Sequence, residues 1–87
     1  MLRLTDFDRL SSVCALLQAA GANVIVAEVI DGDPPRVQLL DPKPPILALL
    51  RDEGQDQRRS EFEGRAHYSI TLSGVCVRWI SSVEVTA

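Results

Sequence analysis

The chain has 87 residues, of which 46% are hydrophobic and 24% charged. These are values of an ordinary folded domain, which excludes wholesale disorder or a fibrous repeat and leaves room for one small core. Nine Lys and Arg against twelve Asp and Glu give a net charge of −3, split four against six over 1–45 and five against six over 46–87, so neither half is a basic arm or an acidic tail.

The first element is an amphipathic helix over 6–20. Phe7, Leu10, Val13, Cys14 and Leu17 recur at helical spacing and form one apolar stripe. Thr5 suits the N-cap, with Asp8 three residues on as a short-armed capping box, and Gly21 suits the position just past the end. Asn23 to Ile30 is rich in β-branched residues and reads as a strand, with apolar residues on both parities implying burial on both faces over its first half. Asp31-Gly32-Asp33-Pro34-Pro35 is a turn cluster, and Arg36 to Leu40 returns as the second strand of a hairpin. Three prolines between Asp41 and Pro45 end it, because proline cannot donate to a ladder.

Residues 46–53 suit either a short helix or a strand. Pro45 at the first helical position, Gly54 at the end and scarce β-branched residues favour the helix. Residues 51–65 hold four arginines among five acids and are expected to form an exposed, mobile loop. Ala66, Tyr68, Ile70 and Leu72 alternate with His67, Ser69 and Thr71. Ser73-Gly74 then turns the chain into Val75, Val77 and Trp79, which alternate with Cys76, Arg78 and Ile80. This period of two marks a second hairpin. Val83-Glu84-Val85 can add a short edge strand. The expected fold is therefore α+β: one N-terminal helix on an antiparallel sheet of about four strands, in the order α-β-β-(short α or β)-β-β, as a single domain over 1–87.

The reactive residue types form no catalytic constellation. The one histidine, His67, falls mid-strand on the polar parity, and no serine sits in a G-x-S-x-G elbow. Asp31-Gly32-Asp33 is turn chemistry, without further ligands at calcium-loop spacing. Cys14 and Cys76 are 62 positions apart and fit no zinc pattern. They are expected as free thiols in a reducing compartment, and could pack close together. The five scattered glycines build no phosphate loop. Neither a metal nor a cofactor is expected, and the chain reads as non-enzymatic.

No apolar run approaches the length of about 20 residues that a bilayer span requires, and the N-terminus lacks the apolar core of a secretory signal. The expectation is a cytoplasmic protein without membrane contact. What remains is binding. Eight of the nine basic residues are Arg, the cation suited to bidentate and stacked contacts. Arg58, Arg59, Phe62 and Arg65, together with His67 and Arg78 on the polar strand parity, are the expected partner-binding residues, because Arg and aromatic side chains dominate interface energetics. A protein partner is favoured. Nucleic acid is disfavoured, since the overall charge is acidic and Glu61 and Glu63 intervene between the arginines. A homodimer through an open sheet edge or face is a further expectation.

In size, acidity and Arg-rich, Lys-poor composition, the chain resembles the small accessory proteins of bacteriophages and prophages, including anti-CRISPR proteins and other host-takeover inhibitors. The resemblance is one of style and rests on no motif, so it transfers no site residues. It implies a stoichiometric inhibitor that occludes a surface of a host complex, such as a CRISPR-Cas or other defence assembly.

Overall fold

A computed structural model describes residues 4–82. Two helices and five strands follow in the order α1 (Leu4–Ala19), β1 (Asn23–Glu28), β2 (Arg36–Leu40), α2 (Pro44–Glu53), β3 (Gln55–Phe62), β4 (Arg65–Leu72) and β5 (Val75–Ser82). The strands form one sheet in the order β1-β2-β5-β4-β3. Every pairing is antiparallel except β2 with β5, which run parallel at its centre. The α+β class holds, but the sheet is mixed rather than antiparallel, and it has five strands rather than about four.

α1 already includes Leu4, so Thr5 lies within the helix and not at its N-cap. Val13 and Leu17 are buried, and Leu10 and Cys14 pack against the core. Phe7, at the N-terminal end of the stripe, stays 47% exposed. The helix closes as the sequence implies. Gly21 takes φ +95°, Ala22 N–H donates to Leu17 C=O at 2.9 Å and Gly21 N–H to Gln18 C=O at 3.0 Å, a paired termination that a left-handed glycine permits. The 46–53 segment is helical. Pro44 and Pro45 occupy its first positions, where no N–H is needed, and Ile46 and Leu50 are buried one turn apart.

Both helices lie on one face of the sheet, α1 against β1, β2 and β5 and α2 against β4. Between them and the sheet sit Val13, Leu17, Ile46 and Leu50 with Val37, Leu39, Ile70, Leu72, Val75, Val77 and Trp79. Each such side chain withdrawn from water contributes about 1.5–3 kcal/mol, which holds the two layers together.

Two further expectations are corrected. Residues 55–62, expected as a mobile loop, form β3. All eight positions are exposed, so the strand is held by its ladder to β4 and buries no side chain that a sequence pattern could register. It joins β4 through Glu63 (φ +52°) and Gly64 (φ +73°), and β4 joins β5 through Ser73 (φ +50°) and Gly74 (φ +79°). These are two-residue hairpin turns with both central residues left-handed. β1, expected to be buried on both faces over its first half, is an edge strand with a bulge. Val24 opposes Leu39 and Val26 opposes Gln38, so Ile25 is the extra residue, and Ile25 and Val26 remain 50% and 39% exposed. The expected strand at Val83–Val85 lies outside the described residues. Among the described residues, no helix is long and apolar enough to cross a membrane.

Candidate binding face

With both helices on one side, the other side of the sheet is uncovered. Strand alternation decides what it presents. The buried residues Val37 and Leu39, Val75, Val77 and Trp79, and Ala66, Ile70 and Leu72 point to the helices. Their neighbours therefore point away. One unbroken row across all five strands on the open face runs Val26, Gln38, Arg78, Ser69, Arg58, and the next runs Glu28, Arg36, Cys76, Thr71, Gln55. Toward the other end, Ile80, His67 and Ser60 form a row, as do Arg65 and Phe62.

The face has two halves. On β3, β4 and β5 it is polar and cationic. Arg58 and Arg78 lie two strands apart, about 10 Å at the usual strand spacing, and line one depression with Ser60, His67 and Ser69 and with Arg59 and Tyr68, whose side chains the pleat carries to the other face. Arg65 is exposed at the start of β4. Phe62 stands 65% exposed, with its ring edge-on to His67 at 6.4 Å between centroids and 69° between planes. On β1 and β2 the face sets an apolar patch among Asn23, Glu28, Arg36 and Gln38, where Ile25 and Leu40 (52% exposed) line a second depression with Gln38, Ile80, Arg65 and Asp41.

Charge is partitioned unevenly. Arg36, Arg58, Arg65 and Arg78 all belong to the open face, against Glu28 alone among its strand residues. Arg36 Nε lies 3.3 Å from Glu28 Oε1, which offsets one charge of each sign. The net result is a cationic surface on an acidic protein.

The structure thus brings five of the six expected contact residues, Arg58, Phe62, Arg65, His67 and Arg78, to one face. Arg59 is on the other. It follows Arg58 by one residue, so the pleat turns it to the helix side, opposite Tyr68. There its Nε donates to the Tyr68 hydroxyl at 3.3 Å and its Nη2 to Glu61 Oε1 at 2.7 Å, with the guanidinium carbon 5.8 Å from the centre of the Tyr68 ring. These bonds push the Arg59 pKa upward, the one to Tyr68 most. Tyr68 in turn stacks on Trp79, with centroids 5.4 Å apart and planes within 10°. Arg59 braces the edge of the core.

Sequence reasoning missed the apolar patch. Ile80 and Leu40 occupy the polar parity of their strands, a signal that was present. The outward turn of Ile25 depends on a bulge that no residue type announces.

Other reactive groups stay apart. Cys14 is on α1, on the helix side, while Cys76 shares the open face with His67, so the sheet separates the two thiols, and both are free. Burial pushes the Cys14 thiol up from its ordinary value, away from the nucleophilic thiolate. Asp31 and Asp33 line a depression with Asp6, Arg9 and Gly74 at the end of the sheet. Among the described residues, no three His, Cys, Asp or Glu side chains are grouped so as to hold a metal ion. No protein-family model matches the sequence, and no curated protein or solved structure matches it.

Proposed function

We propose that this chain is a small binding protein of the phage inhibitor type, which occludes an acidic surface on a host protein complex, such as a defence assembly, without turning over a substrate. The observation that carries the reading is the uncovered sheet face. A molecule of net charge −3 exposes Arg58, Arg65 and Arg78 there beside the ring of Phe62. Arginine pairs with carboxylates in a fixed, two-pronged geometry, and an exposed aromatic supplies apolar area that becomes dry on contact. The adjoining patch of Ile25, Leu40 and Ile80 adds the apolar component that a stable interface needs.

The test is affinity capture from host extract, with bound proteins identified by mass spectrometry. Arg58→Glu, Arg65→Glu and Arg78→Glu combined are expected to abolish capture of the specific partner while leaving the thermal melt unchanged, since all three side chains are exposed. Arg59→Glu, on the opposite face, is expected to retain it. Equal capture by the triple variant would remove the open face from the reading.

The same cationic face supports a second reading, a module that binds single-stranded nucleic acid. An uncovered sheet carrying arginines and an exposed aromatic is a surface on which bases stack and phosphates pair. Salt separates the two. Affinity for an oligonucleotide would fall linearly on a log–log salt plot, with a slope set by the phosphates neutralised.

A further inference from the structure

The two edges of the sheet are built differently. β3 carries Asp56, Arg58, Arg59 and Glu61, charges that discourage another strand from adding to it, whereas a bulge is common to both edges, between Gln55 and Arg58 in β3 and at Ile25 in β1. β1 reads Asn23-Val24-Ile25-Val26-Ala27-Glu28, with no charge until its last residue. A row of unpaired backbone groups flanked by β-branched side chains is a template for a further strand.

We propose that β1 pairs antiparallel with β1 of a second copy of this chain, joining two five-stranded sheets into one of ten strands. The order of faces along β1 selects this occupant. Because Ile25 is the bulge residue, the six side chains run open, helix side, open, open, helix side, open, a pattern that is the same in either direction. A two-fold axis between Ile25 and Val26 therefore sets Val24 against Ala27 of the second copy on the helix side. On the open side it sets Ile25 against Val26 and Asn23 against Glu28. No side chain has to change face, which is the usual obstacle to adding a strand in an arbitrary register.

Charge agrees with this register. The two Glu28 carboxylates lie at opposite ends of the new ladder, each facing an Asn23 amide that can donate to it, and each remains beside its own Arg36. The centre gathers Ile25 and Val26 from both copies into one β-branched cluster, covering side chains now 50% and 39% exposed. The pairing leaves Arg58, Arg65, Arg78 and Phe62 on two outer wings. Of the surface proposed for the partner it draws in Ile25 alone.

Sedimentation from micromolar to hundreds of micromolar protein tests the proposal. The native chain is expected to shift from monomer to dimer with concentration, and Ile25→Lys, which puts a charge beside the axis at an exposed position, to remain monomeric with an unchanged thermal melt. Register is read in a Cys14→Ser, Cys76→Ser background. Asn23→Cys mixed with Glu28→Cys should give a disulfide-linked dimer on oxidation, and either variant alone should give several-fold less. A native chain that stays monomeric throughout would overturn the proposal. So would a dimer indifferent to Ile25→Lys, or cross-linking as strong in the unmixed variants.

Discussion

At the scale of single residues, Gly54 shows a constraint of space rather than of backbone angle. Its φ is −86°, which any residue adopts, yet a Cβ built there would meet the Ile70 side chain, with the Leu50 carbonyl oxygen 2.5 Å away. Gly54 ends α2, donates its N–H to that carbonyl at 2.9 Å, and lets the chain turn directly over Ile70 into β3. Gly54→Ala is expected to cost about 1–3 kcal/mol, the usual penalty for forcing atoms into a filled site. A thermal melt that falls by about 4–8 °C per kcal/mol would register it. A melt equal to that of the native protein would mean that Ile70 moves aside freely. The glycine itself was legible as a helix terminator. The reason it cannot carry a side chain was not, because Ile70 lies 16 residues further along the chain.

At the scale of elements, legibility follows burial. The α1 stripe and the β4–β5 hairpin declared themselves because one face of each is buried, which imposes a period of 3.6 or 2 on the sequence. β3 buries nothing, so Gln55 to Phe62 carries no such period, and its ladder depends on backbone groups that every residue possesses. The parallel pairing of β2 with β5 was hidden for another reason. It joins segments separated by α2 and two strands, and Cys76 N–H donating to Pro35 C=O at 2.9 Å is a contact without a local signature. This contrast carries a kinetic consequence. A strand held by one ladder and no buried side chains opens at low cost, whereas β5, flanked on both sides and carrying Val75, Val77 and Trp79, opens only with the core. Amide hydrogen exchange is expected to be fast over 57–61 and slowest over 76–79. Protection of the two segments to the same degree would show that β3 is anchored by more than its ladder and the exposed contacts of Arg59 with Tyr68 and Phe62 with His67.

At the scale of the whole molecule, net charge and local charge point in opposite directions. The sum of −3 with an isoelectric point near 4.9 describes a protein that an anion exchanger should hold. Yet the pleat sorts the charges, with Arg58, Arg65 and Arg78 on the uncovered face, while Asp6 and Asp8 ride on α1, Asp52 and Glu53 on α2, and Asp31 and Asp33 in the first hairpin loop. Sequence order could not disclose this sorting, since Arg58 and Arg59 are adjacent in the chain and opposite in space. A field of this kind acts over about 10 Å at 0.1 M salt, close to the separation of Arg58 and Arg78, so at low ionic strength a polyanion senses the arginines before it senses the total charge. The chain is therefore expected to be retained by immobilised heparin at neutral pH and low salt, despite its acidity, and to elute once salt shortens that range. Arg58→Glu, Arg65→Glu and Arg78→Glu together should pass straight through, whereas Lys43→Glu, which makes the protein more acidic without touching the sheet, should still be held. Equal loss of retention in both variants would show that total charge, not its arrangement, governs what this surface attracts.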